Sequence, residues 1–215
     1  MRAVVVERPG AAALRRVPRP EPGPGDVLVR VGAAGICGSD VEVLEGRRPA
    51  RYVRYPIIPG HEWAGTVEAI GPGVESIEEG AAVVAEGFRA CGECARCREG
   101  RTNLCDADYA ETGFTHAGAF AEFLCVPAHL VHRLPPDTDL AAAALLEPAA
   151  CVAQGFLEVE LRPGMTAAVV GAGTLGLLAV ALLGRVSPAR LALVGTRAPR
   201  LELGRTMGAT EIWNV

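Results

Sequence analysis

The sequence has no surplus of basic charge, no polybasic run, no internal repeat and no low-complexity tract. Lys plus Arg number 21 against 25 Asp plus Glu, a net charge of −4. Nucleic-acid binding asks for a basic face, and attraction to an anionic bilayer asks for clustered cations, so neither partner is expected. Long apolar runs are missing too. The most apolar stretch, residues 174–183, is half the roughly 20 residues that a spanning helix needs. The N-terminus, Met1-Arg2-Ala3-Val4-Val5-Val6-Glu7, meets charge too early for a secretion signal. A soluble, cytoplasmic protein is the expectation. What is present supports a real core, since half of the 215 residues are hydrophobic, enough for one large or two modest domains.

The texture changes along the chain. Residues 2–7, 27–31, 64–70, 81–85 and 119–126 read as short strands, separated by turn residues such as Gly71-Pro72-Gly73. Pro18, Pro20, Pro22 and Pro24 bar regular helix between the first two. This region reads as a compact all-β unit. Near residue 138 the pattern turns helical, over 140–157, with Pro148 as a start or kink. Strand 167–170, helix 174–183, strand 191–194, helix 199–207 and the start of a third strand follow. Alternating strand and helix predicts a parallel βαβ sheet. The fold class is therefore α/β, with a β-rich domain over 1–150 and a dinucleotide-type domain over 151–215.

Of seven cysteines, four crowd one loop: Cys91, Cys94, Cys97 and Cys105. Without a secretion signal, such a cluster reads as metal ligation rather than disulfides. Two-residue gaps let neighbouring sulfurs converge, and four thiolates close a tetrahedral shell, the pattern of a structural zinc. An iron–sulfur cluster is the rival; the longer gap before Cys105 favours zinc. Cys37 in Gly-Ile-Cys-Gly-Ser-Asp, His61-Glu62 after Pro59-Gly60, and Glu147 in Leu-Glu-Pro are each weak alone. A single cysteine is more often a small buried hydrophobe.

Residues 169–176, Val-Val-Gly171-Ala-Gly173-Thr174-Leu175-Gly176, form a Gly-x-Gly-x-x-Gly turn between a strand and an apolar helix. Gly171 permits the tight turn, Gly173 lets a pyrophosphate approach the backbone, and Gly176 lets helix pack on strand. The helix start offers free N–H groups to phosphate. An NAD enzyme usually places a carboxylate at the end of the second strand. Here Gly195-Thr196-Arg197 stands there instead. Thr196 can hydrogen-bond a 2′-phosphate and Arg197 can pair with it, with Arg200 a second candidate. NADP(H) is expected over NAD(H).

These motifs, in this order, resemble the zinc-containing medium-chain dehydrogenases, in the branch of sorbitol, threonine and sugar dehydrogenases. The resemblance runs through the Cys-Gly-Ser-Asp, Gly-His-Glu, four-cysteine, Leu-Glu-Pro and glycine-turn segments, essentially the whole chain. It implies a GroES-like β-rich catalytic domain followed by a partial Rossmann domain. It implies two zinc ions: a structural one on the four cysteines and a catalytic one on Cys37 and His61. Glu62 would be a ligand or sit just behind the ligands, and Glu147 would bind the metal or hold its water. Ser39 matches the relay hydroxyl, although a plain turn role is as compatible. The implied reaction moves hydride between a secondary alcohol (polyol, sugar, cyclitol or amino-alcohol) and the nicotinamide. Gly-Ser/Thr-Arg after the second strand goes with NADP in that family.

Family members continue well past this length, so the resemblance implies a cofactor domain only half present, and a dimer or tetramer at full length. Should 215 residues be everything, activity is doubtful. An inactive zinc protein of the same fold, binding NADP(H) or a partner, is the alternative. A redox-sensing zinc–thiolate module is a third reading, and zinc-free quinone reductases share the fold. Cys151 stands either beneath the nicotinamide or in the core, Cys125 in the core, and Trp63 in core or pocket. Tyr52 and Tyr55 lie in the segment that often shapes the pocket, and His116, His129 and His132 match no ligand position.

Overall fold

A computed structural model describes residues 1–159, 162–186 and 188–215. The chain divides into two compact units, Met1–Glu147 and Pro148–Val215. The first contains β1 (Arg2–Arg8), β2 (Ala11–Arg16), β3 (Asp26–Ala34), α1 (Gly38–Glu45), β4 (Trp63–Ile70), β5 (Ala82–Ala85), α2 (Ala95–Arg98), β6 (Phe123–Pro127), β7 (Val131–Arg133) and α3 (Leu140–Ala143). Helix α4 (Leu146–Leu157) begins at its end. The second unit adds β8 (Thr166–Val170), α5 (Thr174–Gly184), β9 (Arg190–Gly195), α6 (Ala198–Thr206) and β10 (Glu211–Asn214). Among the described residues no helix is long and apolar enough to cross a membrane.

In the first unit β1 and β2 form a ribbon, and five antiparallel strands follow the order β6-β3-β4-β5-β7. The alternation of side chains along a strand puts Val27 and Val29 of β3, Trp63 and Val67 of β4, Val83 of β5, and Leu124 and Val126 of β6 into one core. Trp63 is only 3% exposed, which settles it as core.

Three departures from the sequence reading have physical causes. The expected strand over 119–126 starts only at Phe123, because the amides before it bond elsewhere. Gly118 N–H donates to Ile58, Ala119 N–H to Gly60 and Phe120 N–H to Pro59. The first unit is not all-β, since α1 follows Cys37. Its signal was a carboxylate at the third helical position, as in a capping box: Asp40 Oδ2 accepts from the Cys37 amide at 2.8 Å. The helical run over 140–157 is split into α3 and α4, in keeping with Pro148 as a start or kink. Pro148 has no N–H for the carbonyl four residues back, so a continuous helix fails there. Strand β2, Ala-rich and poor in β-formers, is imposed by pairing with β1.

In the second unit three parallel strands follow the order β10-β9-β8. Parallel neighbours need crossover connections, and α5 and α6 supply them. Leu177, Val180 and Leu183 make one stripe of α5, spaced at three residues, and pack with Leu191 and Leu193 of β9 and Leu201 of α6.

Candidate metal centres and nucleotide turn

The cysteine loop is built locally. Cys94 caps the one-turn α2, its Sγ accepting from the Cys97 amide at 3.5 Å. The amides of Cys94 and Cys91 point at Cys91 and Cys105 sulfur respectively, each at 3.4 Å, and that of Ala107 points at Cys105 at the same distance. Sulfur separations are 3.5 Å (Cys91–Cys105), 3.9 Å (Cys91–Cys97) and 4.0 Å (Cys94–Cys105). A tetrahedron of sulfurs at zinc–thiolate bond length has an edge of about 3.8 Å, so the loop is already the right size. Backbone N–H groups of Asp106 and Cys97 pull Cys94 down to about 6, and those of Cys91 and Ala107 lower Cys105. Desolvation and the Cys94 sulfur push Cys97 up to about 12. Four adjacent sulfurs cannot all ionise unless a cation sits among them.

The second group of donors comes from separate segments. Cys37 precedes α1, while His61 and Glu62 precede β4. One donor atom of each lies within 4.8 Å of the others. The buried Asp40 ties the segments together. Its Oδ2 takes the Cys37 amide and its Oδ1 takes the Gly60 amide at 3.2 Å. Gly60 has φ +98°, and a Cβ there would lie 2.6 Å from the Phe120 ring, so only glycine admits this approach. Asp40 Oδ1 also lies 3.5 Å from His61 Nδ1, which has no aligned hydrogen bond; that contact is one of charge. The ring's other nitrogen, Nε2, is 3.5 Å from Ser39 Oγ.

His61 and Glu62 are 6% and 8% exposed. Burial alone lowers the His61 pKa, yet Asp40, the Cys37 thiol and Glu147 together raise it to about 9. Surroundings that favour a proton on this ring equally favour a metal ion at Nε2. A soft sulfur, an imidazole and a carboxylate suit zinc, and three protein ligands leave a fourth position open. The Asp40 carboxylate stands behind the ring and holds it by charge, while Nδ1 finds no aligned acceptor. Glu147 stands outside the 4.8 Å group. Burial raises its pKa and it senses His61, Glu62 and Asp40 through charge.

The glycine turn has the geometry its spacing implies. Gly171 has φ +106° and its amide donates to Val194 O at 2.8 Å. A Cβ on Gly176 would lie 1.8 Å from Gly171 O, so any side chain would push α5 off β8. Gly173 caps α5 with no side-chain hydrogen bond, leaving the first N–H groups of the helix, from Thr174 and Leu175 onward, open to an anion. A cavity of about 220 Å³ is lined by Ala172, Gly173, Thr196, Arg197 and Arg200, with no carboxylate. Gly195 ends β9. Arg200 reaches Ala172 O at 3.5 Å.

Sequence reasoning passed over three residues beside the second metal group. Asp40 stands in the Cys-Gly-Ser-Asp motif, which gives no sign of its tie to Gly60. Arg48 and Glu111 form a nearly buried ion pair at 3.1 Å, with no local pattern to announce it. Other expectations are settled simply. Cys151 is exposed on α4, so it is not core. Cys125 is half-buried at the wall of a cavity that His116 also lines. His132 meets Glu86 at 3.3 Å on the surface.

Residues 23–136 match the alcohol dehydrogenase GroES-like domain. Among curated relatives, L-threonine 3-dehydrogenase of Bacillus subtilis (strain 168) is 38% identical over 200 residues, covering 93% of this chain and 57% of the relative. Sorbitol dehydrogenase of the same organism is 34% identical over 217 residues, covering 100% and 61%. Among solved structures, a protein described as a zinc-binding dehydrogenase from Sinorhizobium meliloti 1021, bound to NADP, superposes with a TM-score of 0.93 at 35% identity, over 99% of this chain and 61% of that one. The chain thus spans about three-fifths of the length of these relatives. It belongs to the zinc-dependent medium-chain dehydrogenase family, with a GroES-like domain followed by a partial Rossmann unit.

Proposed function

We propose that this chain carries the zinc-binding and nucleotide-binding parts of a dehydrogenase that moves hydride between a secondary alcohol and NADP(H). The alcohol is a polyol, sugar, cyclitol or amino-alcohol, the class to which the threonine and sorbitol relatives point. The observation that carries the reading is the convergence of Cys37, His61 and Glu62 donors within 4.8 Å behind a single Asp40 carboxylate.

When bound, zinc supplies Lewis acidity toward an alcohol oxygen, and NADP supplies the hydride acceptor. The chain's own residues do the rest. Cys37, His61 and Glu62 hold the metal, and Glu147 adds negative charge at the site's edge. Asp40 keeps Nε2 of His61 turned inward. Ser39 Oγ, beside that nitrogen and only partly buried, would receive the hydroxyl proton while giving its own to solvent. Cys91, Cys94, Cys97 and Cys105 hold a second zinc that only shapes the loop. The first N–H groups of α5 take the pyrophosphate, and Thr196, Arg197 and Arg200 take the 2′-phosphate. The relative solved with NADP supports that choice of cofactor.

The test is metal analysis together with turnover. The zinc-loaded chain is expected to hold two zinc ions. It should reduce NADP with at least one of L-threonine, sorbitol or a sugar panel, and lose this activity to a chelator. Two zinc ions without turnover would favour the inactive zinc protein. One zinc, on the cysteine loop alone, would remove the catalytic reading.

A further inference from the structure

We propose that Arg48 is a positioning residue for the Cys37–His61–Glu62 site, holding the Phe114 ring against the His61 imidazole from an anchorage on Glu111 and Tyr109. The proposal rests on the reading of those three residues as metal ligands.

The chain of contacts is short. The Arg48 guanidinium carbon lies 3.7 Å from the centroid of Phe114. Phe114, 1% exposed, packs on His61 with ring centroids 4.9 Å apart and planes tilted by 39°. His61 presents Nδ1 to Asp40, and its in-plane angle is set by that charge contact. The aligned hydrogen bond that usually locks a ligating histidine is missing at this nitrogen. The ring therefore depends on what packs against its face, and Phe114 packs there.

Arg48 is held in turn by three acceptors from two segments of the chain. Its Nη2 donates to Tyr109 OH at 2.6 Å and to Glu111 Oε2 at 3.1 Å, and its Nε donates to Tyr52 O at 3.1 Å. The Arg48 and Glu111 side chains are only 17% and 9% exposed. A pair this buried gains little net stability, because desolvation offsets the attraction. What the arrangement does provide is orientation: a planar fork that stacks on a ring while its edge is fixed by hydrogen bonds. Lysine, a flexible point charge, cannot reproduce that.

The test reads the geometry of the metal site rather than turnover. Zinc is kept on the four cysteines and cobalt(II) is titrated into the second site, whose visible bands report ligand geometry. Arg48→Leu and Arg48→Lys are each expected to weaken cobalt binding at least tenfold and to shift the bands. The zinc on the cysteine loop should be unchanged, which serves as the folding control. Glu111→Gln, which keeps volume and hydrogen bonding, is expected to move both readings the same way by less. Parent-like affinity and spectrum in Arg48→Lys and Glu111→Gln would overturn the proposal even if Arg48→Leu failed to fold. A parent chain that took up no cobalt at this site would instead overturn the ligand reading itself.

Discussion

The cysteine loop and the Cys37–His61–Glu62 group solve the same problem in opposite ways. The loop draws four sulfurs from fifteen consecutive residues, points backbone N–H groups at them and leaves them exposed or half-buried. The other group gathers three unlike donors from two segments, buries the imidazole and the carboxylate, and relies on Asp40 and a positive-φ glycine to bring them together. A site made by spacing is robust to its surroundings, because the chain itself holds the geometry. A site made by packing can be tuned by its surroundings, and that is where an open coordination position has a use.

The sharpest way to break this contrast is Cys94→Ser. Structural zinc contributes about 10–16 kcal/mol, so losing one of four ligands costs about 3 kcal/mol, on the order of a hundredfold in affinity. Against a competing chelator that the parent loop withstands, metal analysis should then find one zinc per chain, with residues 91–105 newly open to protease and the second metal group still loaded. Loss of both metals would mean the two sites are not independent.

Gly176→Ala tests the other locally encoded motif. The added Cβ meets Gly171 O at 1.8 Å, and overpacking of this kind costs about 1–3 kcal/mol. Hydrogen exchange should quicken over residues 166–214, leave residues 26–85 as they were, and accompany at least a tenfold loss of NADPH affinity. Unchanged exchange would show that α5 is not held by this approach. Arg197→Ala is expected to have a smaller effect, about a tenfold loss of affinity for NADPH with NADH binding unaltered, equal to about 1.4 kcal/mol. Equal losses for both cofactors, in fluorescence titration, would remove the 2′-phosphate role.

The last test concerns the packed site. Burial raises Glu111 from an ordinary 4.5 to about 7, against the opposing pull of Arg48 and His61. A carboxyl raised on folding contributes stability that is complete below the unfolded value and is lost as pH rises through the folded one. Thermal melts of the parent should therefore fall relative to Glu111→Gln between about pH 5 and about pH 8. A parallel pair of curves would show that Glu111 is not held protonated by its surroundings.

How much of this was legible beforehand follows the same divide. The four-cysteine loop, the glycine turn and the strand–helix alternation of the second unit were readable because each is a pattern of near neighbours. The helix after Cys37 left one cue, the carboxylate at its third position, and that cue went unused. The strand expected over 119–126 begins four residues too early, because hydrophobicity cannot say which backbone an amide will bond. The Pro148 break was visible in the residue itself.

By itself the sequence determined which donors exist, how the cysteines and glycines are spaced, and that no acid follows the second strand; covalent reach over a few residues decides all of these. Only the tertiary structure decided that Cys37, His61 and Glu62 meet, that Asp40 joins their segments, and that Arg48 and Glu111 pack beside His61 through Phe114. Those relations join residues far apart along the chain, and their distances are set by strand register and core packing, which no local pattern records.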